Sequence, residues 1–285
     1  MTSVVTQVGE RQGAPEAVTR PRVGAFAALI GRRLRLNLRN PRAILLPLAT
    51  PVLIAVVIAP ALAKLTGSVA GVDYVTYLAV GTIALVVPLS CMQAGLGVIV
   101  DRHSGAQPDL LAAPVSRGML VMANLVAALV ASALQVVTLL FFAWWRGAVI
   151  TTSAFGVLWF VGAVVALGVA MYGIAETLAN RIGSEAEYVN AIPTIGIAPW
   201  FFAGSLFSIN AMPGWIAAIA KVLPATQALA LMRYGLVDHD AAGLHDIWGL
   251  SSPSTMAALS LAVLVAYAVL FAVISVTSFK KAAVR

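Results

Sequence analysis

DRHSGAQPDLLAAPVSR, residues Asp101–Arg117, is one of the few polar islands in a very apolar chain. It separates two long uncharged runs, Tyr74–Val100 and Gly118–Trp145. Gly105 and Gln107 lead into Pro108, which suits the first position of a helix. Asp109 follows in the first turn, where a carboxylate favours the helix dipole. Leu110 and Leu111 lie on that turn, and Pro114 ends it by pushing Ala113 out of the helical region. The stretch reads as a short, self-terminated helix at a membrane surface, exposing a leucine pair and charges, as docking elements do.

Composition sets the class. Of 285 residues, 61% are hydrophobic and 10% charged, and the mean hydropathy is +0.95. A soluble domain carries about 25% charged residues, so long uncharged runs make this an integral membrane protein. The net charge of +7 would suit nucleic acid, but most cations flank apolar runs as membrane topology requires. No nucleic-acid partner is therefore expected. The single cysteine, Cys91, excludes an intrachain disulfide and a cysteine metal cluster, and reads as a small packing residue.

Residues 1–20 are polar and aperiodic and read as a disordered cytoplasmic tail. Arg32-Arg33 before a run ending Ala61-Leu62-Ala63 imitates a twin-arginine signal, but the charged and apolar parts are too long and further spans follow. The membrane domain is placed at 21–285. Pro21–Asn40 predicts an amphipathic interfacial helix with Val23, Phe26, Ala27, Ile30, Leu34 and Leu38 on one face. Arg32, Arg35 and Arg39 lie opposite and Arg33 at the margin, a pattern that anchors to membrane lipids and can also touch a cytosolic partner.

Uncharged runs predict six spans, near 43–63, 75–100, 118–145, 152–175, 188–208 and 255–279. Pro193, Gly196 and Pro199 would kink the fifth. After it, Asn210, Pro213 and Gly214 break the chain, and two short apolar helices separated by Pro224 follow, with Trp215 as an interfacial anchor. Of the 18 Lys and Arg, only Lys64, Arg146, Lys221 and Arg233 fall on the side opposite the N-terminus. The positive-inside bias puts both termini and Asp101–Arg117 in the cytoplasm, and Asn210–Asp246 outside.

Glu176, Glu185 and Glu187, with Arg181, read as a solvated or ion-paired loop at the cytoplasmic boundary. Gln93, Asn124, Gln135 and Asn190 sit within apolar runs, where they line a path or join helices. His239-Asp240 and His245-Asp246 make weak metal ligands, so no metal is expected. The chain has no GxxxxGK[ST] phosphate loop, HExxH or GxSxG, so energy from ATP must come through another chain.

The run DRHSG…DLLAAPVSR resembles the cytoplasmic signature of ABC-2 type permeases, the membrane subunits of ABC exporters. Asp101, Arg102, Gly105, Leu110, Leu111, Pro114, Val115, Ser116 and Arg117 match; His103, Ala106 and Pro108 depart from the pattern. Leu223-Pro224-Ala225-Thr226 through Met232-Arg233 resembles the family's segment before the last span, and Phe202–Phe207 with Met212–Trp215 resembles the one before that. The compact form resembles daunorubicin-resistance-type permeases.

The resemblance implies an all-α membrane protein of ABC-2 (type V exporter-like) permease fold, six transmembrane helices preceded by the interfacial helix, in the cytoplasmic membrane. It implies that Asp101–Arg117 docks on a nucleotide-binding ATPase subunit. Leu110 and Leu111 would enter an apolar pocket there, with Asp101, Arg102 and Arg117 pairing at its rim and Gly105 and Pro114 shaping the loop. Pro213, Trp215, Pro224 and Arg233 would form an outer gate. This chain would carry no cofactor of its own, ATP and Mg residing on the ATPase, and a second permease copy or paralogue would complete the conduit. The expected cargo is a hydrophobic drug, antibiotic or lipid. Rival readings are export of a lipid-linked glycan, a lipid-modifying membrane enzyme, and a receptor without a transport cycle.

Overall fold

The computed structural model describes residues 22–39, 48–69, 71–237 and 241–282, with the side chains of 22 and 23 left aside. The expected tail 1–20, Pro21, the start of the first span and His239-Asp240 lie outside the described residues.

Side-chain caps set where the long helices begin. Helix α1 is Arg22–Arg39 and α2 is Leu48–Thr66, with a π-turn at Ile54–Ile58. A two-residue hairpin, β1 (Ser68–Val69) and β2 (Val72–Asp73), leads to α3, Tyr74–His103. Asp73 caps α3 by accepting from the Val75 and Thr76 amides. After α4 (Ala106–Ala112) comes α5 (Arg117–Trp145), capped by Ser116. Helix α6 (Ala154–Ala179) is capped by Ser153. Ser184 caps α7 (Glu185–Ile192), and Glu185 and Glu187 stand in its first turn, where the helix dipole favours them. A π-turn at Pro193–Ile197 and α8 (Ala198–Phe202) continue it. Then come α9 (Gly214–Val222), α10 (Pro224–Leu236), α11 (Ala242–Trp248) and α12 (Pro253–Ala282).

Five described helices, α2, α3, α5, α6 and α12, are long and apolar enough to cross a membrane. The pair α9–α10, bent by 80°, passes the same measure only when taken together, as a broken span or a re-entrant loop, so the described residues hold five or up to six spans. The span expected at 188–208 is not among them: its helical stretch starts earlier, with Glu185 and Glu187 in its first turn, and Pro193 and Pro199 stand where it breaks into three helical pieces. Its hydrogen bonds nevertheless run along all of α3. His103 meets Gly183 O at 3.2 Å, and the Tyr188 hydroxyl donates to Met92 O at 3.0 Å. Trp200 Nε1 donates to Gly81 O at 2.8 Å, and the Tyr74 hydroxyl to Leu206 O at 3.2 Å. Residues 183–206 therefore lie antiparallel to α3 from one end to the other. Aromatic polar tips make the connections that an all-apolar span lacks.

The two short apolar helices expected on either side of Pro224 are α9 and α10. Tyr267 donates to Val222 O at the elbow, at 3.1 Å. Tyr267 lies 14 residues into α12, about 21 Å along its axis. The other end of α10 returns to the start of α6, where Thr152 donates to Gly235 O at 2.7 Å. The partly exposed elbow lies beside the middle of α12, and α10 packs against α6, α12 and α3. Gly156 and Gly235 make that approach possible, because a Cβ on either would collide with the other's carbonyl oxygen. Small residues serve the α6–α12 contact too, where a Cβ on Gly173 would stand 2.6 Å from the Phe271 carbonyl.

Candidate functional site

The polar island folds as a bracket between α3 and α5. Gly105 takes φ 76°, a left-handed conformation that side chains resist. Helix α4 therefore starts at Ala106, and Pro108 is its third residue rather than its first; the missing N–H costs nothing in a first turn. Ala113 leaves the helical region at ψ 146° before Pro114, as expected.

The leucine pair is placed differently from expectation. Leu110 and Leu111 are half-buried and pack on the chain's own core. Leu110 shares a small recess with Leu29, Leu120 and Phe279. The exposed face of the bracket is Pro108, Asp109, Ala112 and Pro114. Burying two leucines against α1, α5 and α12 removes more apolar surface from water than leaving them on a rim.

The charges are also committed within the chain. Asp101 faces Arg32 at 3.2 Å and Arg33 at 3.1 Å. Arg33 is only 8% exposed. Its Nε donates to Asn124 Oδ1 at 3.0 Å and its Nη1 to Gly97 O at 3.3 Å. Arg102 donates to Ala179 O at 3.2 Å and Ile182 O at 2.7 Å, neutralising carbonyls at the end of α6. Arg117 donates to Lys280 O at 3.3 Å, joining the start of α5 to the end of α12. Asp101, Arg102 and Arg117 were expected to face a partner; packing brings matching groups of the same chain closer.

Helix α1 also turns charged groups toward the rest of the chain. Phe26, Ile30 and Leu34 lie on its packed side as expected, but Leu29 and Arg33 complete that side, and Leu38 is 71% exposed. Arg35 and Arg39 are exposed as the periodicity predicts. The helix packs on α5, and its centre is an ion pair rather than an apolar stripe. Asn124 was a visible signal, a polar residue inside an apolar run; its partner 91 residues away was not.

Glu176, expected in a solvated loop, is fully buried in α6, accepting from Tyr172 at 2.7 Å and from Asn180. Glu185 does lie at a polar boundary, 3.6 Å from His103. Gln135 accepts from Ser90, joining α5 to α3. Among the described residues no group of three or more His, Cys, Asp or Glu could hold a metal; Asp246 instead accepts from Ser208 and Asn210.

At the opposite end, Pro213 precedes α9, Trp215 is 70% exposed, and Pro224 opens α10 at the elbow. Arg233 differs from an exposed gate residue: it is 6% exposed. It donates to Gly204 O at 2.9 Å, Ser205 O at 3.2 Å and Tyr77 O at 3.4 Å, and lies 3.4 Å over the Tyr77 ring. It fastens the 203–207 turn and α10 to the head of α3.

Residues 24–237, from α1 through the end of α10, match the family described as ABC-2 type transporter. The chain belongs to the ABC-2 type transporter family. Both the Asp101 bracket and the bent α9–α10 pair lie inside the matched region. Comparison with curated proteins gave no match. Membership points to the membrane component of an ABC transporter, a multi-pass protein of a family that normally works with an ABC ATPase subunit.

Proposed function

We propose that this ABC-2 protein is the six-span permease subunit of an ATP-driven exporter, of the daunorubicin-resistance-like kind. It moves a hydrophobic drug, antibiotic or lipid out across the cytoplasmic membrane. The observation that carries the reading is the bracket at Gly105–Arg117. It presents Pro108, Asp109, Ala112 and Pro114 outward, while Arg102, Asp101 and Arg117 bind it to α6, α1 and α12. A push on the exposed face is thereby delivered to several helices at once. In this reading the ATPase supplies ATP and Mg and docks on that face. A second permease copy or paralogue closes the conduit, and α1 lies at the cytoplasmic interface. Pro213, Trp215 and Pro224 form the outer wedge, and Arg233 is its fixed hinge pin.

Two measurements test this. Leu110→Ala with Leu111→Ala removes the packing under the bracket, and truncating half-buried leucines of this kind costs about 2 kcal/mol or more of local stability, which loosens the face offered to the ATPase. Recovery of the ATPase in pull-down should fall about tenfold, with insertion unchanged because the bracket adds nothing to span hydrophobicity. Normal binding and normal substrate-stimulated hydrolysis in reconstituted vesicles would reduce the bracket to a connector. Orientation is tested with single cysteines after Cys91→Ala. Ala211→Cys, on an exposed site beyond the 203–207 turn, should react with an impermeant thiol reagent in intact cells, and Ser104→Cys should not. Ala241 would serve poorly as an outer reporter because it is fully buried. The reverse labelling pattern would refute the cytoplasmic placement of the bracket.

A further inference from the structure

Beside the Asp101 hub lies a cavity of about 410 Å³ between α1, α3 and α5. Its mouth holds Arg32, Arg33 and Asp101, and its inner end Gln93 and Gln135. Gln93 is eight residues up α3 from Asp101, about 12 Å along the axis. The wall between them is built partly of small residues, Ala131 among them. The apolar rim, Leu36 and Val100, is 40% and 43% exposed, so the groove opens at the surface of the chain.

Two guanidiniums face one carboxylate. Arg33 uses Nε on Asn124 and Nη1 on Gly97 O and Asp101, but its Nη2 is buried and has no hydrogen-bond partner among the described residues. A buried donor left unpaired costs about 1–3 kcal/mol. A guanidinium that lines the groove and keeps one N–H unpaired suits a phosphate oxygen. The adjoining groove, apolar at its rim and polar within, suits a chain bearing that phosphate.

We propose that this groove binds one anionic phospholipid drawn from the adjacent leaflet. Its phosphate sits at the two groove-lining guanidiniums, entering over the more accessible Arg32 toward Arg33, and its first methylenes lie against Ala131 and the apolar rim. The site differs from general attraction of a basic helix to a charged surface, which acts through exposed arginines. Here the recognising residue is buried and serves one lipid. The proposal is independent of the export reading, because binding is measured without transport.

The test uses the purified full-length chain in detergent, titrated with phosphatidylglycerol or phosphatidylcholine and read by native mass spectrometry. Wild type should retain one phosphatidylglycerol in preference to phosphatidylcholine. Arg33→Gln should weaken retention about tenfold or more, the scale of one charge-assisted hydrogen bond. It should still fold, because Asp101 keeps Arg32. Ala131→Phe, which obstructs the groove and leaves every charge in place, should also lose the lipid. Arg181→Gln removes an exposed charge elsewhere and should retain it. Equal loss in Arg181→Gln would mean diffuse attraction only, and retention in both Arg33→Gln and Ala131→Phe would place the lipid elsewhere. Displacement of the lipid by millimolar inorganic phosphate would show a headgroup-only anion site. Each of these three results overturns the proposal.

Discussion

Arg233→Met should destabilise the membrane domain by about 2–4 kcal/mol, the scale set by orphaning several buried carbonyls at once. The guanidinium serves Gly204 O, Ser205 O and Tyr77 O, and caps the Tyr77 ring. Methionine fills much of the volume and donates nothing. The desolvation of the lost cation returns some free energy, so the cost falls below the sum of the separate contacts. Arg233→Lys should recover little of the loss, because an ammonium on a flexible stem cannot reproduce a flat fork between three carbonyls and a ring. Thermal unfolding of the purified chain in micelles measures both. A shift within error for Arg233→Met would mean that the 203–207 turn is held by Trp200 and Tyr74 without it. The observed burial also restricts what this end of the bundle can do: motion there must carry α10 and the turn together.

Asp101→Asn should be the second costly change. It leaves Arg32 and Arg33 side by side without a carboxylate, and Arg33 is buried. Breaking a buried pair in this way costs 3–5 kcal/mol in well-enclosed cases; partial access of solvent to Asp101 lowers the expectation to about 2–3 kcal/mol. Trypsin should then cut faster after Arg35 and Arg39 as α1 loosens from α5. Arg33→Gln should cost less, since Arg32 still satisfies Asp101. The double variant should recover about 1 kcal/mol or more relative to additivity, because the two sites interact directly. Strict additivity would show that the two groups are neighbours without being coupled. Because Asp101 also leads into the bracket, loss of the pair is expected to uncouple α1 from movement of that loop.

Much of the architecture is legible along the chain. Uncharged runs of span length, Asp73, Ser116, Ser153 and Ser184 at helix starts, Pro114 after a terminated turn, and Pro224 between two short apolar helices all act through neighbours a few residues away. Local chemistry of that kind needs no knowledge of the fold. The matched family region and the motif at Asp101–Arg117 belong to the same category, since both are patterns in order and spacing.

The fate of the charged and polar groups is not local. Nothing near Arg33 in sequence marks it as buried; it becomes so because Asp101, Asn124 and Gly97, from two other helices, converge on it. Arg102, Arg117 and Arg233 read as surface cations and turn out to serve carbonyls 77, 163 and 28 to 156 residues away. The uncharged run likewise predicted a span at 188–208, where the structure has shorter helical pieces held to α3 by tyrosine and tryptophan bonds, and it could not show that the α9–α10 elbow meets Tyr267. Sequence by itself determined a multi-helix membrane protein, most helix boundaries and the bracket between α3 and α5. Tertiary structure alone decided which polar group meets which, because ion pairs and hydrogen bonds form between whatever packing brings within about 3 Å, and helix packing joins residues that sequence distance keeps apart.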